Sequence, residues 1–280
     1  MRTRPSVLTI AGSDSGGGAG IQADLKAIAF LGVHGASAIT AVTAQNSRAV
    51  TAVFALPDEI VEAQIDAVMT DLRPDAVKIG MLGTARLVRL VARKLKEWKP
   101  RDIVLDPVMI ASSGARLLEE DAVAALRDEL VPLASVVTPN WPEAAILLRR
   151  ELRGMDEVDS IAESFAQIGA PRVLLKGGHL PGRMLVDMLI DGARRIEYRH
   201  LRIEDAEGHG TGCALASAVA AGLALGNPLE QAVRTATDLV HRTLVERYGV
   251  GGSKPVYLGF VVEPPPPEER RTRGFGTHPR

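Results

Sequence analysis

The sequence has very little cysteine and no long apolar stretch. Its 280 residues include one cysteine, so no disulfide can form within the chain, which fits a reducing compartment. The short apolar run at 7–10 lacks the length of a signal-peptide core. The longest apolar run, 214–225, is too short to span a bilayer. We therefore predict a soluble, cytoplasmic protein.

An excess of either charge is also missing. The chain has 33 Lys and Arg against 34 Asp and Glu, a net charge of −1 at pH 7. Nucleic-acid and membrane-surface binding proteins usually carry a basic footprint, which is absent here. We expect neither partner and instead expect small-molecule chemistry.

Several catalytic signatures are absent as well. The glycines of 12–20 fit neither a Walker A loop nor a G-x-G-x-x-G pattern, and there is no G-x-S-x-G elbow. His34, His179, His200 and His209 show no metal-ligand spacing, and one cysteine cannot build a structural zinc site. These absences argue against a serine hydrolase and against a metal hydrolase.

What the sequence does contain is an alternation of short apolar runs with amphipathic ones, typical of βαβ units around a mostly parallel sheet. We found no internal repeat and no linker within 1–260, so we predict one domain there and a disordered Pro/Arg-rich tail at 261–280. The predicted strands are 6–10, 37–42, 76–79, 103–105, 135–137, 172–175 and 185–190. The predicted helices start with apolar stripes at 21–29 and 61–72 and continue with 84–98, 120–131, 157–169, 212–225 and 228–248.

Glycine-rich or polar clusters follow most of these strands, where open α/β sheets bind ligands. They are 12–20, 43–47, 78–82, 106–109, 138–143, 176–179 and 208–213. The first is either a flexible turn or a loop ordered by a ligand against its backbone. The last, HGTGC, opens a helix whose free N–H groups attract phosphate. The helix dipole predicts a lowered pKa for Cys213, although a packed small hydrophobe is the alternative.

Other polar residues at these junctions have both a functional and an ordinary interpretation. Asp24 could face a ligand hydroxyl or simply favour a helix start, and Gln45 could pair with a heteroaromatic edge or solvate a loop. The carboxylates of Asp106 and Glu143 could hold Mg²⁺, directly or through water, or Glu143 could be an ordinary first-turn residue. Lys176 could meet a transferring phosphoryl group or be solvated.

Taken together, the ordered motifs resemble the hydroxymethylpyrimidine/phosphomethylpyrimidine kinases, a family of the ribokinase-like superfamily that serves thiamine biosynthesis. The resemblance covers about residues 6–248. Its motifs are AGSDSGGGAGIQAD at 11–24, TAQN at 43–46, KIGML at 78–82, DPVM at 106–109, TPNWPE at 138–143, VLLKGGHL at 173–180 and HGTGC at 209–213.

The resemblance implies a ribokinase-like three-layer α/β/α sandwich, ATP and Mg²⁺ as cofactors, and a homodimer. The implied activity phosphorylates an aminopyrimidine alcohol to its monophosphate and then to the diphosphate. The residues implied to line the pyrimidine pocket are Gly12, Ala19, Asp24, Thr43, Gln45, Met81 and Val108, with Gln45 reading the ring.

The phosphate side of the site follows from the same resemblance. Asn140 and Glu143 would form the Mg²⁺–phosphate motif, with Asp106 close by, and Lys176 would bind the transferring phosphate. Cys213 would be the base, where many ribokinase relatives carry aspartate. The anion hole would consist of the N–H groups of Gly210, Thr211, Gly212 and Cys213.

The chain departs from the family pattern at two places. Ser112 stands where many members have lysine, and 249–255 (GVGGSKP) matches the C-terminal glycine loop only loosely. Two rival functions remain at this point, a pyridoxal kinase and a non-catalytic nucleotide-binding sensor on the same fold. The sensor is disfavoured because Asn140, Glu143, Lys176 and Cys213 occur together.

Overall fold

The computed structural model describes residues 4–110, 114, 117–170, 172–203, 209–251 and 256–260. Within them nine strands form one sheet in the order β3-β2-β1-β4-β5-β6-β7-β8-β9. The strands are β1 (Ser6–Asp14), β2 (His34–Gln45), β3 (Val50–Ala55), β4 (Ala76–Ile79), β5 (Asp102–Leu105), β6 (Val136–Val137), β7 (Arg172–Leu175), β8 (Met184–Asp191) and β9 (Arg194–Leu201).

Strands β1, β2 and β4 to β7 run parallel, whereas β3 and the β8–β9 hairpin add antiparallel edges. Eight α-helices are present in the described residues. They are α1 (Gly20–Phe30), α2 (Asp58–Asp71), α3 (Ala85–Trp98), α4 (Glu120–Ala125), α5 (Trp141–Leu148), α6 (Val158–Gln167), α7 (Thr211–Ala224) and α8 (Leu229–Val245).

The helices cover both faces of the sheet. Side chains of α2 to α6 pack into one apolar core, and those of α1, α7 and α8 pack mainly into a second core on the opposite face. Alternate residues of β1 contribute to the two cores, Leu8 and Ile10 to the first and Val7 to the second, because successive strand side chains point to opposite faces. The predicted three-layer α/β/α sandwich is confirmed.

The predicted strands and helices are present, with shifted ends. The segment predicted as one helix over 120–131 is instead α4 followed by a π-helical stretch, Leu126–Leu130. Three elements were not predicted: the edge strands β3 and β9, and the helix α5. No helix in the described part of the chain is long and apolar enough to cross a membrane.

The strand order reverses beside β1, since β2 follows it along the chain on one side and β4 lies on the other. In open α/β sheets the carboxyl ends of the strands at such a reversal form a crevice that binds ligands. The loops that follow β1, β2, β4, β5, β6 and β7 all open at this edge.

Candidate active site

A cavity of ≈ 450 Å³ lies at the carboxyl edge of the sheet. Its lining brings together residues that are up to about two hundred positions apart in the chain. Of the predicted site residues, it includes Gly12, Ala19, Thr43, Gln45, Met81, Asp106, Val108, Asn140, Glu143, Lys176, Gly210, Thr211, Gly212 and Cys213. Every predicted site residue except Asp24 therefore lines one cavity.

Asp24 does not line the cavity, which corrects the sequence-based assignment. Its side chain is fully buried on α1, where Lys78 Nζ lies 2.9 Å from both carboxylate oxygens. The hydroxyls of Thr9 and Ser217 donate to the same carboxylate at 2.6 and 2.8 Å. The carboxylate thus holds together β1, β4, α1 and α7 below the site.

The glycine-rich loop after β1 is closed by Asp14. The Asp14 carboxylate accepts hydrogen bonds from the N–H groups of Gly16, Gly18 and Ala19 at 2.8–3.0 Å. Burial acts to raise the pKa of Asp14, but the hydrogen bonds from His209 and from these N–H groups outweigh it and lower the pKa. The loop is therefore folded around a buried anion.

The glycine of HGTGC is required by close backbone approach. Gly210 has φ +82°, and a Cβ atom there would lie 1.9 Å from the carbonyl oxygen of Gly18. The glycine-rich loop thus packs directly against the start of α7. This contact places the first-turn N–H groups of α7, which lack intrahelical acceptors, at the cavity.

Lys176, which follows β7, joins the two acidic residues of the site. Its Nζ lies 2.8 Å from Asp106 Oδ1 and 3.6 Å from Glu143 Oε2. Burial acts to lower the pKa of Lys176, but the two carboxylates raise it above its ordinary value, so the ammonium stays charged. A side chain at Gly212 would lie 3.3 Å from Lys176 Nζ, so the ammonium also faces the start of α7.

Asn140 and Glu143 form a capping box at the start of α5. The Asn140 side chain accepts from the Glu143 N–H at 2.9 Å, and the Glu143 carboxylate accepts from the Asn140 N–H at 2.8 Å. Burial raises the pKa of Glu143, against the lowering effect of Lys176. The helix was missed although the N-x-x-E spacing with Pro142 in the first turn was a readable start signal.

The site combines a buried cation, two carboxylates, a helix N-terminus and an apolar wall that includes Met81 and Val108. A family model described as phosphomethylpyrimidine kinase matches residues 14–257. The chain belongs to the phosphomethylpyrimidine kinase family.

Known proteins of this family and fold are similar over most of their length. The hydroxymethylpyrimidine/phosphomethylpyrimidine kinase of Rhizobium meliloti is 51% identical over 254 residues, covering 89% of this chain and 95% of the relative. The crystal structure of phosphomethylpyrimidine kinase from Clostridium difficile has a TM-score of 0.75 at 41% identity, covering 87% of this chain and 99% of that one. An ADP complex of Bacillus subtilis pyridoxal kinase has a TM-score of 0.83 at 34% identity, covering 89% and 95%.

Within this family site, the thiol of Cys213 differs from the sequence-based expectation. Burial of the thiol raises its pKa to about 11, helped by Asp24 and Asp106 and opposed by Lys78 and the Gly20 N–H. The prediction of a lowered pKa from the helix N-terminus is wrong, because desolvation outweighs the helix start. At neutral pH this cysteine is an uncharged thiol.

Sequence reasoning gave no role to three charged or polar groups at the site. Asp14 and His209 both line the cavity, and His209 Nε2 lies 2.9 Å from Asp14 Oδ2. The spacing of Asp14 to Gly16 is the signal of an Asx-type turn and could have revealed the first of them. Lys78, buried inside β4, could not be recognised from an apolar strand pattern.

The family implies Mg²⁺, and the donor set can be tested against it. No cluster of three or more His, Cys, Asp or Glu side chains suited to a metal occurs in the described residues. Asp106 and Glu143 converge on Lys176 and supply two carboxylates. Phosphate-bound Mg²⁺ typically uses one or two carboxylates with water and phosphate oxygens, so the residues fit that mode and not a protein-only cage.

Two predicted features lie outside the described residues. Ser112 is one, and residues 252–255 of the loosely matching glycine loop are the other. The tail at 261–280 also lies outside them.

Proposed function

We propose that this chain transfers the γ-phosphoryl group of ATP to 4-amino-5-hydroxymethyl-2-methylpyrimidine and then to the resulting monophosphate. The observation that carries the proposal is the convergence of Gln45, Lys176 and the first turn of α7 on one cavity. Family membership and the named activity of the Rhizobium meliloti relative support it.

The pyrimidine ring is held by the wall that includes Gly12, Met81 and Val108 and by the amide of Gln45. Apolar side chains cover the faces of a heteroaromatic ring, and an amide offers its edge one donor and one acceptor. The ring's hydroxymethyl group then points toward Cys213 and Lys176.

Lys176 and the first turn of α7 stabilise the transferring phosphoryl group. Charge on its oxygens is met by the ammonium and by the backbone N–H groups of Gly210 to Cys213, which are fixed before the reaction. Asp106 and Glu143 keep Lys176 charged and in place. Mg²⁺, held by these two carboxylates through water, would supply neutralisation of the ATP phosphates.

Cys213 is assigned as the group that accepts the proton of the attacking alcohol. Because its pKa is raised to about 11, the resting thiol is neutral and does not repel an incoming phosphate monoester. The monoester itself is largely dianionic near neutral pH and needs no base, since its second pKa is about 6.

The decisive experiment is an ATP-turnover assay with the pyrimidine alcohol, its monophosphate and pyridoxal as separate acceptors. We expect turnover with the first two. Gln45→Met should lower kcat/KM for the pyrimidine about 5- to 150-fold, the equivalent of 1–3 kcal/mol for an unpaired polar edge. Gln167→Met, an exposed change on α6, is the matched control and should leave kcat/KM unaltered.

A second candidate, pyridoxal phosphorylation, is favoured by one observation. The Bacillus subtilis structure with TM-score 0.83 is a pyridoxal kinase. Turnover with pyridoxal and none with the pyrimidine alcohol would replace the first proposal with this one. No ATP turnover with any of the three acceptors would instead support a nucleotide-binding sensor.

We also propose that the chain acts as a cytoplasmic homodimer. The single cysteine supports a reducing location. Val42 and Phe54 are register partners on β2 and β3, and Phe54 is 69% exposed, so this sheet edge offers an apolar surface to a second copy. Sedimentation of Phe54→Glu should show a monomer where the native chain shows a dimer.

A further inference from the structure

The inference concerns the orientation of the Gln45 amide and rests on the proposed function. Two neighbours contact this amide. Gln45 Nε2 lies 3.3 Å from His209 Nε2, and Gln45 Oε1 lies 3.1 Å from the hydroxyl oxygen of Thr43. The two ends of an amide are distinguished only by the partners that surround them.

The first partner, His209, is itself fixed by Asp14. The lowered pKa of Asp14 keeps its carboxylate ionised, and an ionised carboxylate only accepts hydrogen bonds. At 2.9 Å from this carboxylate, His209 Nε2 must therefore carry a hydrogen. The NH₂ group of Gln45 cannot bond to an N–H group, whereas the amide oxygen can accept from it.

The second partner gives the same answer independently. The Thr43 hydroxyl has one hydrogen, and the carbonyl oxygen of Ser13 is an acceptor for it at 3.0 Å. With that hydrogen used, the Thr43 oxygen can only accept from Gln45. Both contacts are satisfied when the amide oxygen faces His209 and the NH₂ group faces Thr43.

We infer that His209, held by Asp14, is a specificity-determining positioning residue that fixes the polarity of the Gln45 amide. The amide then keeps one N–H on the Thr43 side and one lone pair on the His209 side for a ligand. A bound ring must present an acceptor and a donor in the matching order. A 4-aminopyrimidine has a ring nitrogen that accepts beside an amine that donates, and the 4-oxo analogue reverses that order.

Reversing the ring does not compensate, because the hydroxymethyl group must remain at Lys176 and Cys213. The packing around the imidazole leaves little room for other arrangements. A Cβ atom on Gly18 would lie 2.3 Å from the His209 ring and 3.1 Å from that of Tyr257. His209 is thus confined between the glycine-rich loop and Tyr257.

The test compares two pyrimidine alcohols, the 4-amino compound and its 4-oxo analogue, with native chain, His209→Phe and His209→Gln. We expect His209→Phe, which lacks the N–H donor, to lower the amino-to-oxo ratio of kcat/KM at least about fivefold. His209→Gln, which places an N–H at a similar reach, should retain most of the ratio. His34→Phe at an exposed position is the matched control and should change nothing.

Equal losses with both alcohols in His209→Phe would overturn the inference and leave His209 a structural residue. Calorimetric binding of the two pyrimidines gives the same ratio without turnover. A native chain that binds the amino compound but does not phosphorylate it would refute the proposed function alone. A native chain that binds neither pyrimidine would refute both.

A measurement on the native chain removes any dependence on the variants folding. The ¹⁵N resonances of His209 should show a protonated Nε2 between pH 7 and 8. An unprotonated Nε2 would overturn the inference whatever the variants do.

Discussion

At the scale of single residues, the site places a neutral thiol where many ribokinase-like relatives carry aspartate. Burial raises the pKa of Cys213 to about 11, so the side chain adds no negative charge beside the anion-binding turn of α7. A carboxylate at this position would face Asp106 and any incoming phosphate. The thiol therefore suits a site that must accept both an alcohol and a phosphate monoester.

We predict that Cys213→Ala and Cys213→Asp separate the two transfers. Alanine removes the base and should slow phosphorylation of the alcohol about 10²–10⁴-fold, while largely sparing the monophosphate. Aspartate should keep part of the first transfer and suppress the second through charge repulsion. The measurement is kcat/KM on each acceptor separately, and equal losses on both acceptors in both variants would contradict the assignment.

Lys176 is predicted to act mainly in the transition state. Its ammonium is held by Asp106 and Glu143 and faces the start of α7, where phosphoryl charge develops. Lys176→Met should reduce kcat about 10²–10³-fold with a much smaller rise in the KM for the pyrimidine. Lys96→Met, on the exposed side of α3, is the control. A raised KM with unchanged kcat would make Lys176 a ground-state binding residue.

At the scale of elements, a buried polar network joins the strands to the anion-binding helix. Lys78 on β4 and Ser217 on α7 both bind the Asp24 carboxylate of α1. Ser217 lies one turn after Cys213, so the network anchors α7 close to its catalytic end. Burial acts to lower the pKa of Lys78, but Asp24 raises it, and the pair stays ionised.

We predict that breaking this pair is costly, while replacing both members is tolerated better. Lys78→Met leaves the fully buried Asp24 carboxylate unpaired, which should reduce the free energy of unfolding by about 3–5 kcal/mol. The double variant Lys78→Met with Asp24→Leu removes both charges and should recover much of that loss. Denaturant unfolding measures both, and a single-variant loss below about 1 kcal/mol would show that the pair does not support the fold.

At the scale of the whole molecule, one continuous sheet carries both the site and the stability of the chain. Strand β8 borders the site through Asp187, whose carboxylate accepts the N–H of Gly177 at 2.7 Å next to Lys176. Burial raises the pKa of Asp187 from an ordinary 3.8 to about 6. Folding therefore favours the protonated form of this group.

The sign of the resulting pH dependence follows directly. Between pH 4 and 6 the folded chain holds a proton on Asp187 that the unfolded chain has released, so this group lowers stability as pH rises through that range. The contribution is about 2–3 kcal/mol. In Asp187→Asn the fall should disappear from the difference between the two unfolding curves. A difference curve that is flat across the range would contradict the raised pKa.

Local pattern was sufficient for the layered architecture and for most of the site. Parallel strands are buried on both faces, so β1, β4, β5 and β7 show as apolar runs followed by polar turns. The edge strands β3 and β9 were missed because their exposed faces dilute that signal: five of the six residues of β3 are exposed. Helix α5 was missed because its capping residues were interpreted only as a phosphate motif.

The sequence by itself determined which side chains gather at the carboxyl edge, because strand ends in a parallel sheet share that edge whatever their order. It did not determine which of them face the cavity or how their charges are set. Asp24 turned into the core because Lys78, Thr9 and Ser217, all distant in the chain, satisfy its carboxylate there. The pKa of Cys213 rose because desolvation depends on everything packed around the thiol, whereas the helix start is only its local neighbour. Burial and long-range partners are properties of the folded chain, so only the tertiary structure decided them.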